Sequence, residues 1–415
     1  MKLNEGIVEG LRGDFPILSQ EINGHPLVYL DNGATTQVPD PVLRAITRHY
    51  RTDNANVHRG IHTLSERSTA SLERAREKVR AFVNAESSDE IVFTKGTTDS
   101  INIVARALEE SVKAGDTVVV SAMEHHANFV PWQQLCMHTG AHFAVAPLDE
   151  RGDVDRCELK RLLEQAKHVA IVAIAHVSNV TGAVNPAADI VRLVHAYDSP
   201  ILIDAAQSVR HEEVDVRALD CDFLCFSGHK MLGPTGIGVL YGKRGEFEKL
   251  RPVEYGGEMV DVVTTQATTF EKLPLRFEAG TPNYTGAIGL GAAIDYLEGV
   301  GREAIREREH ALLAYTEKRL NEIEGLTLLG APKRRGGCLS FAFDSIHPFD
   351  LATLMDTQGI ALRSGNQCAQ PLLHEVYQVQ NVTRLTPAFY NTFEEIDLCI
   401  AAVKRVAPLL ATASR

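Results

Sequence analysis

Phe226-Ser227-Gly228-His229-Lys230 closes an apolar run that begins at Asp222 and leads into the glycine-rich turn Gly233-Pro234-Thr235-Gly236-Ile237-Gly238. A lysine at a strand end, beside small, hydroxyl and imidazole side chains, is placed to form a Schiff base once burial lowers its pKa toward neutrality. Upstream, Ile201-Leu202-Ile203-Asp204 is a short apolar strand ending in a carboxylate. Such a carboxylate holds the protonated pyridine nitrogen in pyridoxal phosphate (PLP) chemistry. Taken alone, Lys230 reads as a surface lysine and Asp204 as a turn residue or helix cap. The pairing of the two at strand ends is what points to a bound aldehyde cofactor.

The chain of 415 residues is too long for a single hydrophobic core and suggests two domains. Its 44% hydrophobic and 23% charged content is ordinary for a globular protein that needs no staples. A net charge of −12 leaves no basic stripe to displace counterions, so neither nucleic acid nor an anionic membrane is an expected partner. Residues Met1 to Phe15 mix charged and isolated apolar side chains and lack the apolar core of a signal peptide. The most apolar stretch, His168 to Val177, falls short of the roughly 18 residues of a membrane span and reads as a buried strand.

Seven scattered cysteines fit a reducing cytoplasm better than a disulfide framework. Cys221 and Cys225 have no second pair to complete a zinc site and read as core thiols. His58 and His62, four apart, could share a helix face, but no surrounding motif supports a metal site, and none is expected.

Short β-rich runs recur at Glu90 to Thr94, Thr117 to Ser121, Ala141 to Pro147, His168 to Val177, Pro200 to Asp204 and Asp222 to Phe226. Amphipathic helical patterns separate most of them, at Thr98 to Ser111, Pro131 to Thr139, Asp155 to Gln165 and Pro186 to Ala196. The alternation predicts an α/β domain with a mainly parallel sheet, its ligand at the carboxyl ends of the strands. From about Tyr296 the texture changes to a charged helix (Arg302 to Ile323), short strands and a last helix (Glu394 to Leu409), as in a smaller α+β domain. The Gly286 to Gly291 cluster has no strand leading into it and reads as close helix packing rather than a dinucleotide loop.

A phosphate site is expected at Phe93-Thr94-Lys95-Gly96-Thr97-Thr98-Asp99, where a glycine and two hydroxyls lie between a strand and a helix start. One helix-end interaction contributes only about 0.3–1 kcal/mol when exposed, so several donors must converge. Ser227 and His229 are the natural complement. In Met123-Glu124-His125-His126-Ala127-Asn128, an imidazole could lie flat on a pyridine ring. Gln207, just after Asp204, and Asn179 could reach the cofactor's phenolic oxygen or the substrate. Arg384 could clamp a substrate carboxylate bidentately.

The ordered set Gly-Thr-Thr, Glu-His-His-Ala-Asn, Val-Ser-Asn-Val, Asp-x-Ala-Gln, Ser-Gly-His-Lys, Glu-Ala-Gly-Thr-Pro-Asn (Glu278 to Asn283) and Tyr-Asn-Thr (Tyr390 to Thr392) resembles the group II, Suf/Csd-type cysteine desulfurases. The resemblance runs from about residue 15 to 410. It implies fold type I of the PLP enzymes, in the class V aminotransferase group, and a homodimer with its active site at the subunit boundary. By motif it makes Lys230 the Schiff-base lysine, Asp204 the partner of the pyridine nitrogen, His125 the stacking ring and Gln207 the partner of the phenolic oxygen. Thr97, Thr98, Ser227 and His229 would hold the phosphate, with Thr281 reaching it from the other subunit. Asn179, Arg363 and Arg384 would bind substrate. The implied division is an N-terminal segment over 1–27 that packs with the small domain, a large PLP-binding domain over 28–294, and a small domain over 295–415.

Arg363-Ser364-Gly365-Asn366-Gln367-Cys368-Ala369-Gln370-Pro371 resembles the catalytic-cysteine loop of that family. There the thiolate takes sulfur from PLP-bound cysteine as a persulfide. A free thiol with pKa about 8.5 is only a few per cent ionised at pH 7, so a cation such as Arg363 would help. Relatives commonly carry Gly-His-His-Cys, whereas this chain has Gly365-Asn366-Gln367-Cys368, without an imidazole beside the nucleophile in sequence. Leu385-Thr386-Pro387 after Arg384, and Gly33 in Asp31-Asn32-Gly33-Ala34, also depart from the family pattern. The resemblance implies a cytoplasmic L-cysteine desulfurase that forms alanine and passes sulfur to a protein acceptor, for iron-sulfur cluster assembly or other sulfur metabolism. Selenocysteine lyase activity on L-selenocysteine, a specialised β-lyase or epimerase, and a non-enzymatic scaffold are the alternatives.

Overall fold

Six short runs rich in Val, Ile and Phe form strands: Ile91–Thr94 (β1), Thr117–Ser121 (β2), His142–Ala146 (β3), Val169–Ala175 (β4), Ile201–Asp204 (β5) and Phe223–Ser227 (β6). In the computed structural model, which describes residues 3–413, they join Gly238–Gly242 (β7) in one sheet of order β1-β7-β6-β5-β4-β2-β3. All neighbours are parallel except β7, which runs antiparallel to β1 and β6. Every strand but the edge strand β3 is buried along its whole length. That explains their continuous rather than alternating hydrophobicity, because both faces are covered. Ile201 and Ile203 enter one core with Leu72 and Leu290, while Leu202 enters the other with Ile101 and Trp132.

Strand β7 was not legible as a strand, since glycines bound its short apolar run. Gly238 is required there by contact: a Cβ would lie 2.4 Å from the Gly96 Cα. The Gly286 to Gly291 cluster falls in the helix Tyr284–Val300, where a Cβ on Gly289 would meet Ile46 at 2.9 Å and one on Gly291 would meet Ala75 at 3.2 Å. This is the close helix packing expected. The helices Glu5–Arg12, Asp40–Thr52, Thr63–Phe82 and Pro348–Asp356 were not anticipated. His58 and His62 do not share a helix face. His58 lies in a loop at φ +65 with its Nε2 against Glu73, and His62 caps the helix Thr63–Phe82.

The C-terminal part builds a second, fully antiparallel sheet from Leu326–Leu328 (β8), Leu339–Phe343 (β9), Arg363–Gly365 (β10) and Val382–Leu385 (β11), in the order β8-β9-β11-β10. The helices Arg302–Leu320, Pro348–Asp356 and Phe393–Ala413 flank it, around a core that includes Leu312, Phe341, Leu351, Leu385, Ile400 and Val403. Val28 and Leu30 belong to this same core, and Val28–Tyr29 pairs in parallel with Ile360–Ala361. Residues 1–2 and 414–415 of the expected units lie outside the described residues.

Two buried ion-pair clusters tie together segments far apart in the chain. Arg76, 1% exposed, lies 2.6 Å from Glu278, which also accepts the Phe93 N–H, so the Glu278 to Asn283 segment is anchored to β1. Arg210 and His211, just downstream of Gln207, both meet the buried Glu309 at 3.0 Å, and Glu309 accepts the Phe389 N–H.

Candidate active site

The C-terminal ends of β1, β5 and β6 face the loops after β10 and the strand β11 across a cleft of about 540 Å³. Thr97, Thr98, His125, Asn179, Asp204, Gln207, Ser227, His229, Lys230, Arg363, Cys368 and Arg384 all line it. Thr281 is exposed and does not line the cleft.

The phosphate corner forms where β1 turns into the helix Thr97–Leu108. The Ser227 hydroxyl accepts the Thr97 N–H at 2.8 Å and pairs with the Thr97 hydroxyl at 2.8 Å, welding the helix start to the end of β6. Hydroxyls and backbone N–H groups at a helix start are the donor set a phosphate needs. Burial pushes the His229 pKa down to about 4, so its ring offers a neutral hydrogen-bonding face.

Asp204 ends β5, is buried, and accepts the Ala206 N–H at 2.8 Å. Burial raises its pKa, opposed by that N–H and by the charge of Lys230. A cationic ring nitrogen is the partner that would keep this carboxylate ionised. Burial lowers the Lys230 pKa, reinforced by Arg384 and Arg363 and opposed by Asp204 and Cys368. This moves the amine toward the neutral, nucleophilic form. His125 accepts the Ala127 N–H on Nδ1 at 3.0 Å, and burial takes its pKa down to about 3. The ring is therefore a neutral, oriented plane suited to stacking. Gln207 is held by donating to the Gly33 carbonyl at 2.8 Å.

On the opposite wall, Arg384 and Arg363 are cross-strand neighbours. Like charges placed so are destabilising unless shared by an anion, and Asp31 supplies it. Asp31 lies 3.3 Å from Arg384, which also donates to the Asn179 carbonyl at 2.9 Å. Arg363 meets both Asp31 oxygens from Nε at 3.0 Å. Arg363 thus holds Asp31 through a bidentate contact and also lies within electrostatic reach of Cys368. Asn179 Oδ1, Ser364 Oγ, Gln367 Oε1 and Arg384 Nε are buried without hydrogen-bond partners among the described residues. Unpaired buried donors and acceptors are costly, so their clustering here marks where polar ligand atoms belong. Together with the phosphate corner, Asp204 and Lys230, they fit PLP and an amino-acid carboxylate.

Cys368 is exposed on the cleft wall, and Gln367 and Cys368 both take φ +53. An imidazole does stand beside this loop, though not from the loop itself. His126 donates its backbone N–H to the Cys368 carbonyl at 2.7 Å, and its Nε2 accepts the Gln370 N–H at 3.1 Å. The Glu-His-His pair carried no signal assigning the second histidine to the nucleophile. Phe349 and Asn381 also line the cleft and were not anticipated.

Glu124 was missed as well. It is 1% exposed, accepts the Ala175 N–H at 3.0 Å and the Asn128 amide at 2.6 Å, and bonds Ser121. Burial pushes its pKa up from 4.5 to about 8, aided by Asp204. The folded state then holds this proton more tightly than the unfolded chain, so its stabilisation is complete below about pH 4.5 and is lost as pH rises toward 8. Glu124→Gln should remove that slope. Urea unfolding at pH 5 and pH 8 should show the variant gaining stability relative to wild type at the higher pH.

The aminotransferase class-V family model matches residues 28–399. A probable cysteine desulfurase of Halalkalibacterium halodurans is 48% identical over 92% of this chain and 94% of its own. A cysteine desulfurase of Escherichia coli (strain SE11) is 45% identical over 97% and 99%. Among solved structures, the apo cysteine desulfurase of Thermococcus onnurineus NA1 superposes with a TM-score of 0.92 at 36% identity, covering 99% of this chain and 100% of that one. The cysteine desulfurase CsdA of Escherichia coli, solved as an S-sulfonic acid, gives 0.90 at 37% over the same shares. The chain therefore belongs to the class-V aminotransferase family and, within it, to the cysteine desulfurases.

Proposed function

We propose that this enzyme is a PLP-dependent L-cysteine desulfurase in which Cys368 is the sulfur acceptor. The observation that carries the reading is the placement of Lys230, Asp204, Arg384 and Cys368 around one cleft. Bound PLP would act as an electron sink for the substrate's α-carbon. Thr97, Thr98, Ser227 and His229 would hold its phosphate, Asp204 its ring nitrogen, and His125 its face. Lys230 would hold the cofactor covalently at rest and move the substrate Cα proton. Arg384, with its Nε unpartnered, would donate to the substrate carboxylate beside Asn179, whose Nδ2 donates to the Gln367 carbonyl at 2.8 Å, and Arg363 steadies Asp31. The Cys368 thiolate attacks the substrate sulfur, the carbon–sulfur bond breaks, and its electron pair is protonated at carbon. Alanine leaves and Cys368 carries a persulfide, which balances without an external oxidant. Incubating the PLP-loaded protein with L-cysteine and a thiol should yield alanine and sulfide in equal amounts, and a protein that makes neither would overturn the reading.

Cys368 is exposed, which supports transfer of the persulfide sulfur to an acceptor protein, in iron-sulfur cluster assembly or related metabolism. All seven cysteines are free thiols, which supports a reducing, cytoplasmic setting. No helix among the described residues is long and apolar enough to cross a membrane.

We further propose a homodimer in which Thr281 completes the partner's phosphate site. Supporting this, Thr281 is exposed, and so are the apolar side chains of Tyr255, Val262, Val263 and Ile61, the last 97% exposed. Gly280 donates to the Gly257 carbonyl at 2.9 Å and Arg59 to the Val260 carbonyl at 3.3 Å, which ties the segments that carry them to one another. Solvent-exposed apolar side chains so grouped need a cover. Light scattering should find twice the chain mass, and Thr281→Ala should weaken PLP retention; a fully active monomer would refute the assignment.

A further inference from the structure

The nucleophile loop holds an unfavourable shape. Gly365 has φ +127, and Gln367 and Cys368 both have φ +53. Glycine tolerates such values, but side chains with a Cβ are strained there, and consecutive strained residues persist only where neighbours over-determine them. Both backbone groups of Cys368 are indeed taken. Its N–H donates to Asn366 Oδ1 at 3.0 Å, closing a side-chain turn. Its carbonyl accepts the His126 N–H at 2.7 Å. Two further bonds close the loop: Gln370 N–H to His126 Nε2 at 3.1 Å, and Ala369 N–H to the Asn366 carbonyl at 2.9 Å. His126 is the chain neighbour of His125, the ring expected to stack on the cofactor.

We propose that His126 and Asn366 are positioning residues that brace Cys368 from both sides, registering the nucleophile against the His125 segment and so against the substrate sulfur. The inference rests on the desulfurase reading for its chemistry but not for its structure. His126 acts through two contacts on the far side of Cys368, its N–H and its ring. Asn366 acts through one contact on the near side. Burial lowers the His126 pKa and so keeps Nε2 an acceptor. The brace explains how Asn366 and Gln367 can stand next to the nucleophile: the loop's own side chains hold geometry, and the imidazole comes from His126, outside the loop.

The test uses the PLP-loaded protein and the variants His126→Ala, His126→Gln, Asn366→Ala and Asn366→Ser. Hydrogen exchange of the peptide spanning residues 366–371 is read alongside persulfide formation on Cys368 after one turnover with L-cysteine. Both alanine variants should keep the visible cofactor band and a cysteine KM within about threefold of wild type. Their persulfide formation should fall about a hundredfold, the effect of misplacing a reacting atom by an ångström or so. Exchange in that peptide should accelerate. His126→Gln, which returns an acceptor near Nε2, and Asn366→Ser, whose hydroxyl can accept the same N–H, should each recover at least about tenfold. Alanine variants that exchange and react like wild type overturn the brace, as do Gln and Ser variants no better than alanine. If wild type itself makes no alanine, the desulfurase reading fails, while the exchange comparison still decides the brace. Should His126→Ala not fold, the Asn366 pair carries the test alone.

Discussion

Lys230→Ala should be purified without a visible absorption band and should lose about four orders of magnitude in alanine formation, roughly 5.5 kcal/mol of barrier. Two roles end together. On the proposed reading the side chain would be both the covalent anchor and the base that moves the Cα proton. Its surroundings are arranged for both: burial and the charges of Arg384 and Arg363 lower its pKa, while Asp204 keeps it from falling further. Lys230→Arg makes the sharper control, since a guanidinium keeps the positive charge yet neither forms the covalent link nor gives up its proton. It should be as inactive as the alanine variant while retaining PLP more tightly through charge. Sodium borohydride treatment of wild type should abolish the band and mark the Lys230 peptide by mass spectrometry. A coloured, active Lys230→Ala protein would show that another amine carries the chemistry.

The large sheet was legible because its strands are buried on both faces, so each reads as an apolar run closed by a polar residue, as Asp204 closes β5 and Ser227 closes β6. Lys230, Asp204 and the Thr97 hydroxyl could be found for the same reason: strand ends put chemistry at predictable places. Long-range contacts were not legible. Nothing local in His126 announces that it will bond the carbonyl of Cys368, far along the chain, and Arg363 could not be assigned to Asp31 without the register that sets it opposite Arg384. Glu124 was hidden by its company, for a glutamate before two histidines reads as a polar loop until its burial among Ser121, Asn128 and the Ala175 N–H is seen. The strand Val28–Tyr29 was hidden for a related reason, since it is defined only by its partner Ile360–Ala361.

Cys368→Ala should separate cofactor chemistry from sulfur transfer. The substitution removes Sγ alone, because both hydrogen bonds that hold residue 368 use its backbone, its N–H donating to Asn366 Oδ1 and its carbonyl accepting the His126 N–H. Alanine at φ +53 is no more strained than cysteine, so the loop should keep its shape. None of Lys230, Asp204, His125 or the phosphate donors is touched, and PLP occupancy and the spectral response to added L-cysteine should match wild type within about twofold. What disappears is the acceptor for sulfur. Alanine formation should drop by about three orders of magnitude, roughly 4 kcal/mol, and no persulfide should appear at position 368. Cys368→Ser should behave likewise, since an alkoxide is not available near neutral pH to attack sulfur. Alanine, sulfide and the mass of the 368 peptide should be followed in the same reaction. If Cys368→Ala released both products at the wild-type rate, sulfur would be leaving without a protein persulfide, and a lyase mechanism on this cleft would replace the one argued from Cys368.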